Sequence, residues 1–257
     1  RMLDPDRIYV WCWDARPFPA FPRRGDVWGD GGNWQLGHWL NGRLEGVELS
    51  DLINAILADH GLPPAETRAA DGIVQGYVID EPGSARGALE PLIDLYGIAA
   101  IERPEGLELR TARAAMQQAQ AIEDLVVEED GPAAERTRVP DHELPGEAVL
   151  VFRDHLADFQ SVAARAVRVV AAGRRQHVMG FPGVLEREHG RALIAARLDR
   201  AWSERETVAL ALPPHAPEVE AGAVVTVPAF GPHHYLVTEV ETGLVRRIRA
   251  LRIDHAA

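Results

Sequence analysis

The clearest pattern in the first half of the chain is an amphipathic helix. Its apolar positions recur at intervals of one, three and four residues, at Leu49, Leu52, Ile53, Ile56 and Leu57. Ser50 and Asp51 suit the start of a helix, and Gly61 followed by Pro63 and Pro64 suits its end. The pattern therefore predicts a helix between these signals.

A second helix and a hairpin follow it. Ser84 opens a stretch with Leu89, Leu92, Ile93 and Tyr96 on one face and Gly97 at its end. Pro91 interrupts this pattern and predicts a kink or a delayed start, because proline cannot donate a helical hydrogen bond. A short strand is predicted at 73–80, before this helix. Two further strands, at 98–101 and 107–110, flank a Pro-Glu-Gly turn and predict a β-hairpin.

The second half of the chain is richer in strand patterns. Strands are predicted at 148–153 and 160–170, followed by a helix over 184–204 in which Ile194, Leu198 and Trp202 recur every fourth residue. Four more strands are predicted at 207–212, 223–227, 235–241 and 245–253. These elements favour a small β-barrel or sandwich with a helix packed on it.

The overall prediction is an α+β fold in four parts. Residues 1–45 form the end of a preceding domain or a linker, and residues 46–113 form a small helix-rich module. Residues 114–146 are polar and acidic and are predicted to connect the modules, with one strand at 125–128. Residues 147–257 form the β-barrel-like module with its packed helix.

Composition narrows the function classes. The 257 residues carry a formal net charge of -12, and all 27 basic residues are arginine. This balance argues against a broad nucleic-acid-binding surface, which needs clustered cations. The single cysteine, Cys12, cannot form an internal disulfide. No apolar run approaches the roughly 18 residues of a membrane span, and the chain is expected to be a piece of a longer polypeptide.

The first forty residues offer a possible site for carbohydrate. Five of the six tryptophans lie there, and nearby loops supply polar groups at Asp26, Asp30, Asn33 and His38. Exposed rings of Trp28, Trp34 or Trp39 would stack on sugars, whereas buried rings would fill a core or an interface. A glycosidase would need two carboxylates on either side of the scissile bond, for which Asp14, Asp26 and Asp30 are the candidates.

Other chemistry finds little support in the sequence. His233 and His234 are adjacent, so in a strand they point to opposite faces and cannot share a metal without distortion. Arg246, Arg247 and Arg249 are expected to lie on a solvated or interface face. No phosphate-binding loop, dinucleotide fingerprint or zinc-ligand spacing occurs. We therefore expect no catalytic, cofactor-binding or metal-binding residue in this chain.

Several segments resemble one known family. The segments YVWCWDARPFPAFP at 9–22 and GNWQLGHWLNGRL at 32–44 are similar to the multidomain tail-tip protein of alphaproteobacterial gene transfer agents, also called a host-specificity or baseplate protein. The resemblance continues through 48–62, 73–98 and 198–214. In that family the first motif closes a glycosidase-like TIM-barrel domain, and a phage-tail hub module follows it.

The resemblance implies a structural role. It implies a baseplate hub subunit that forms a homo-oligomer, with three copies in a ring, and contacts other tail proteins in a phage-like particle assembled in the bacterial cytoplasm. It places glycosidase-like activity in the TIM-barrel portion that this chain lacks. DNA would pass through an acidic ring without specific binding. Two alternatives remain open: a cell-wall glycan hydrolase using Asp14 or Asp30, and a module that binds cell-surface glycan through its tryptophans.

Overall fold

The computed structural model describes residues 20–28, 46–68, 70–80, 83–104, 106–127, 132–157, 159–169 and 175–253. The chain divides into two units, Arg1–Val47 and Glu48–Ala257. In the first unit, a short helical segment α1 (Ala20–Arg23) is interrupted at Phe21, whose backbone is extended. Phe21 is buried, and its ring meets the ring of Trp28 edge to face with centroids 5.7 Å apart.

From Val47 onward, short strands alternate with helices, and the later elements are mostly β. In chain order they are β1 (Val47–Glu48), α2 (Leu49–Asp59), β2 (Glu66–Arg68), β3 (Ile73–Val74), β4 (Gly76–Tyr77), α3 (Ala85–Tyr96), β5 (Ile98–Arg103), β6 (Gly106–Thr111), α4 (Ala112–Met116), β7 (Gln120–Ala121), β8 (Ala134–Arg138), β9 (Pro145–Asp154), β10 (Gln160–Val167), β11 (Arg175–Leu185), α5 (Arg187–Ser203), β12 (Glu206–Leu212), β13 (Val224–Thr226), β14 (His234–Thr242) and β15 (Arg246–Ile253).

Both predicted helices of the first half are present, but α2 begins at Leu49 with Glu48 at its N-cap and no side-chain cap, so only α3 has the expected caps. The Ser84 hydroxyl accepts a hydrogen bond from the Gly87 N–H at the start of α3, and Gly97 ends the helix in the left-handed region. The helix begins directly at Ala85 and includes Pro91 in its interior, so the delayed start is wrong. Burial of Leu89, among other apolar residues of α3, favours the helix despite the missing proline N–H.

The predicted hairpin is also present. Strands β5 and β6 pair antiparallel, and β2 adds to β6 in parallel, which gives a three-stranded sheet. The strand predicted at 73–80 is instead two two-residue strands, β3 and β4. Strand β4 pairs antiparallel with β11, which lies far along the chain. In this pairing Gly76 lies opposite Val184, and Tyr77 lies opposite Gly183.

A second sheet has the strand order β10-β9-β11-β4. The hairpin partner β10 is antiparallel to the central strand β9, and β11 is parallel to it. Strand β10 ends at Val167, shorter than the predicted 160–170. Helix α5 packs on β9 and β10 rather than mainly on the barrel strands.

The third sheet contains six strands in the order β7-β13-β14-β15-β12-β8. The segment after β7 runs from one end of this sheet toward the other: the Ile122 N–H donates to Thr226, and the Val126 N–H donates to Ala211. The strands enclose an apolar core that includes Val208, Leu212, Val225, Tyr235 and Ile248. The strands β12, β13, β14 and β15 therefore share one apolar core, and the pairing leaves β7 and β8 as the end strands of the sheet.

Further details of the sequence prediction differ from the structure. The predicted connecting segment 114–146 contributes β7 and β8 to the six-stranded sheet, and residues 125–127 of the strand predicted there are not a strand. The long strand β11 was missed because its first half is polar and exposed. Helix α5 begins at Arg187 rather than at 184, since Val184 and Leu185 complete β11 beside β9.

Candidate functional site

Helix α5 covers one side of the β10-β9-β11 sheet, and the other side is exposed at many positions, although Val149 there is buried. Even-numbered residues of β9, such as Phe152, point toward α5 and are buried, where the ring of Phe152 lies against Gly190. Odd-numbered residues point the other way, because side chains alternate along a strand. We call this second side the open face; by register it carries Glu147, Val149, Val151, Arg153, Ser161, Ala163, Arg165, Val167, Gln176, Val178 and Gly180.

The open face is largely apolar or neutral. Ala163, Val167 and Val178 are exposed. Its central charges compensate each other, because the Arg165 guanidinium forms an ion pair with Glu147 on the neighbouring strand. Such a cross-strand pair fixes the register of the two strands and leaves little net charge between them.

The outer edge of β10 has no partner strand among the described residues. The backbone N–H of Arg168, just after β10, donates to the Gly146 carbonyl at 2.9 Å. Because hydrogen-bonded pairs alternate along an antiparallel ladder, the even-numbered residues of β10 direct their backbone groups toward β9. The odd-numbered residues, including Ala163, therefore direct their backbone groups away from the sheet. An edge of this kind is a template for pairing with another strand.

The opposite edge of the sheet is open over most of its length. Strand β4 pairs with β11 only at Gly183 and Val184, and the Val78 N–H adds one bond to Pro182. In the described part of the chain, no strand pairs with the outer side of residues 175–181. The two free edges are thus of similar length, eight residues in β10 and seven in β11.

Helix α5 is fixed to the other side of this sheet by aromatic and ionic contacts. The Trp202 indole N–H donates to the Pro145 carbonyl at 2.8 Å. The guanidinium carbons of Arg168 and Arg205 lie 4.6 and 5.2 Å from its ring centroid, at cation–π distance. Arg205 also pairs with Asp141 at 2.8 Å. These contacts join the helix, the end of the β9–β10 ladder opposite the hairpin turn, and the start of β12.

Helices α3 and α5 contact each other through charged groups. Arg197 pairs with Asp94 at 2.9 Å, and Arg200 donates to the Asp94 carbonyl. Burial is the main cause of two pKa shifts there: it lowers the pKa of Arg200 and raises the pKa of Glu204. Arg197 also lines a cavity of about 160 Å³ with Pro145 and His177, while its ion pair with Asp94 joins the two helices.

The six-stranded sheet contains a buried carboxylate with several partners. Glu206 accepts a hydrogen bond from Tyr235 at 3.1 Å and pairs with Arg136 at 2.8 Å and with Arg252 at 3.8 Å. Burial opposes ionisation of Glu206, but the hydrogen bonds from Arg136 and Tyr235 outweigh it and lower its pKa. Burial and the bond to Glu206 raise the pKa of Tyr235 to about 12. Because every partner is satisfied, this cluster holds β8, β12, β14 and β15 together.

The tryptophan-rich segment is described only in part. Trp28 is half-buried against Phe21, an arrangement that favours a packing role for this ring over a flat sugar-binding platform. Asp26 is exposed and pairs with Arg24, whose hydrogen bond lowers the pKa of Asp26. The other candidates for sugar binding or catalysis lie outside the described residues: Asp14, Asp30, Asn33, Trp34, His38 and Trp39.

The remaining candidates lie on the six-stranded sheet. His234 belongs to β14 and His233 precedes it, and the described residues contain no cluster of three or more histidine, cysteine or acidic side chains able to hold a metal. Arg249 pairs with Glu239 at 3.1 Å on the exposed side of β15, as predicted for a solvated face. No helix in the described part of the chain is both long and apolar enough to cross a membrane.

Sequence reasoning did not identify the open face or its free edges. The strand pattern at 160–167 predicted β10, but no local signal shows whether a strand lies at an edge. The exposed polar start of β11 was the only hint, since Arg175, Gln176 and His177 are unusual in a strand covered on both sides.

Comparison with known proteins places these features in context. Residues 84–240 match the model of a family described as "Putative phage tail protein". A search of curated proteins found no significant match. Among solved structures, a chain of the virion of a native gene transfer agent particle shares 27% identity with a TM-score of 0.72, covering 93% of this chain. The present chain covers 56% of that one, which is less than two thirds of its length.

A second solved structure supports the fold. The 43 kDa tail protein of prophage MuSo2 from Shewanella oneidensis is similar with a TM-score of 0.54 and 13% identity, covering 84% of this chain and 68% of that one. Its low identity bears on the fold alone, a mixture of helices and several small sheets. Because the family model matches more than half of the 257 residues, the chain belongs to this family of phage tail proteins.

Proposed function

We propose that this chain is a baseplate hub subunit at the tip of a phage-like tail. In this role about three copies form a ring that joins the tail tube to host-recognition domains and encloses part of the DNA conduit. The particle would be assembled in the bacterial cytoplasm, and other tail proteins would be the partners. The observation that carries the proposal is the β10-β9-β11 sheet, with its open face and two free edges.

The directions of the strands support self-assembly. Strand β10 runs opposite to β9, whereas β11 runs with it. In a ring, every copy has its β9 in the same direction relative to the axis. Strand β10 of one copy would therefore meet β11 of the next in an antiparallel ladder, the geometry that most readily joins two free edges. The matched lengths of the two edges allow about seven residue pairs.

The chemistry of the open face suits a conduit for DNA. The acidic lining expected from the net charge is not found there, since the face carries one glutamate, Glu147, and two arginines, Arg153 and Arg165. Arg165 is compensated by Glu147, which leaves Arg153, whose guanidinium donates to the carbonyl of Phe159 at 3.2 Å, as the one uncompensated charge among the residues of this face. A face with few available cations gives phosphates little opportunity for counterion release, so DNA would slide past it.

A substitution at the β10 edge tests the proposal. Ala163 has an outward N–H, so Ala163→Pro removes a donor from the edge without removing a bond to β9. Light scattering coupled to size-exclusion chromatography should show concentration-dependent trimers for the wild-type chain and for the control Ala163→Val. Ala163→Pro should remain monomeric with an unchanged circular dichroism spectrum. A wild-type chain that stays monomeric at high concentration, or a trimer unaffected by proline, would contradict edge pairing.

On this proposal the chain has no catalytic role of its own. Glycosidase-like activity would belong to the preceding TIM-barrel portion. Incubation of the chain with bacterial cell-wall and capsular glycans, followed by detection of reducing ends, should therefore give no product above a heat-denatured control. Release of sugar that is lost in Asp14→Asn or Asp30→Asn would favour the glycan hydrolase instead, and retention on a glycan array that is lost in Trp34→Ala would favour a binding module.

A further inference from the structure

We propose that the tip of the β9–β10 hairpin inserts into the cleft between β5 and β14 of a neighbouring copy. This inference rests on the proposed self-assembly and adds a second contact, away from the sheet edges. The hairpin tip is defined here as residues 154–157 together with Phe159. The cleft has a volume of about 440 Å³ and is lined mainly by residues 99–104, 220–222 and 236–238.

The hairpin tip presents two large apolar side chains to solvent. Leu156 is 74% exposed and Phe159 is 56% exposed. Phe159 also has a φ of 58°, the one positive value at a residue other than glycine in the described part of the chain. This conformation is costly for a bulky aromatic residue. More than half of the ring stays exposed in its own chain, so a partner that buries it would offset this cost.

A hydrogen-bonded frame holds the tip in this conformation. Asp154 is 2% exposed, its Oδ1 accepts the Leu156 N–H at 3.0 Å, and its carbonyl accepts the Phe159 N–H at 3.0 Å. Arg187 lies 3.4 Å from the Asp154 carboxylate, and Arg153 donates to the Phe159 carbonyl. The tip is therefore preorganised, which lowers the entropic cost of binding.

The cleft has an apolar floor and an acidic rim. Ile101 and Val237 are buried beneath it, and the close approach of Ile101 to Gly222 joins its two walls: a Cβ on Gly222, whose φ is +82°, would lie 2.3 Å from the Ile101 Cδ1. Glu102 is exposed on one wall, and Glu220 is exposed on the other, where it pairs with Arg103.

The two surfaces are complementary in polarity and charge. Leu156 and Phe159 match the apolar floor, while Arg153 and Arg187 beside them would face the carboxylates of Glu102 and Glu220. An aromatic anchor in a pocket with charged groups at the rim is the usual arrangement of a stable protein contact. Because the tip and the cleft are different patches, the contact is head-to-tail and can continue from copy to copy around a ring.

Disulfide cross-linking between copies tests this contact directly. In a Cys12→Ser background, one preparation carries Leu156→Cys and the other carries Ala221→Cys on the cleft wall, with different affinity tags. Mild oxidation of the mixture should yield a mixed dimer in large excess over a matched control in which the fully exposed Leu244 is replaced by cysteine instead of Leu156. Equal yields in the two mixtures would overturn the proposal.

Phe159→Gly provides the second readout. Glycine adopts a positive φ without strain, so this variant should melt no lower than the wild type while it lacks the ring. Self-association measured by analytical ultracentrifugation should weaken about tenfold or more, the effect of removing one anchor. If Phe159→Gly associates as strongly as the wild type and Ala163→Pro does not associate, the tip contact is rejected and pairing of the sheet edges is supported. Absence of association in the wild-type chain would reject both.

Discussion

The packing of helix α5 on the β10-β9-β11 sheet can be tested by adding one methyl group at Gly190. Gly190 lies in α5 and is buried against Phe152 of β9. A Cβ on Gly190 would lie 2.7 Å from both Cε1 and Cζ of the Phe152 ring, far inside van der Waals contact. Because Phe152 is itself 2% exposed, its ring has little room to move. Gly190→Ala should therefore force the helix away from the sheet.

Two opposing effects determine the magnitude. Replacing glycine by alanine in a helix interior stabilises the helix by about 1 kcal/mol. Overpacking a closed core costs roughly 1–3 kcal/mol, and two short contacts to a buried ring place this site in the upper half of that range. We expect Gly190→Ala to lower the free energy of unfolding by about 1–2 kcal/mol, which corresponds to a fall in melting temperature of about 2–8 °C.

A matched substitution separates packing from helix propensity. A Cβ on Gly87 in α3 would lie 3.6 Å from the Ser84 Oγ, an ordinary contact, so Gly87→Ala should stabilise by about 0.5–1 kcal/mol. Thermal and urea unfolding followed by circular dichroism would measure both variants. In a double-mutant cycle, Phe152→Leu should recover part of the loss caused by Gly190→Ala. A Gly190→Ala variant as stable as the wild type would refute the reasoning.

Three further predictions concern caps and buried polar groups. Removing the N-terminal cap of α3 with Ser84→Ala should cost about 1 kcal/mol of unfolding free energy, whereas Ser84→Asp should retain it. Glu206→Gln should cost about 1–3 kcal/mol at neutral pH. Since the pKa of Glu206 is lowered by folding, its contribution is present above the unfolded value of 4.5 and is lost as the pH falls, so thermal unfolding should show the two proteins converging in acid. Trp202→Phe should cost about 1–3 kcal/mol in urea unfolding, because the Pro145 carbonyl loses its indole donor.

Local signals in the sequence were sufficient for the elements that depend on neighbouring residues. The helix begun by Ser84 and ended by Gly97 follows from capping chemistry, and the hairpin of β5 and β6 follows from a short turn between two apolar strands. The resemblance, which was based mainly on the motif at 9–22 and supported by later segments, indicated a phage-tail protein, and the match over 84–240 confirms that family. Each of these signals lies within a few residues along the chain, so no tertiary information was needed.

Only the tertiary structure decided how strands combine into sheets. The pairing of β4 with β11 joins residues more than a hundred positions apart, and the polar strand β8 is recruited from a segment that looks like a linker. Whether β10 is central or at an edge, and that Ala163 directs its backbone outward, depends on partners that local composition does not specify. The conformation of Phe159 likewise follows from the buried Asp154 and its hydrogen bonds. The physical reason is common to all of these features: backbone groups of a strand are satisfied by distant residues, whereas those of a helix are satisfied locally.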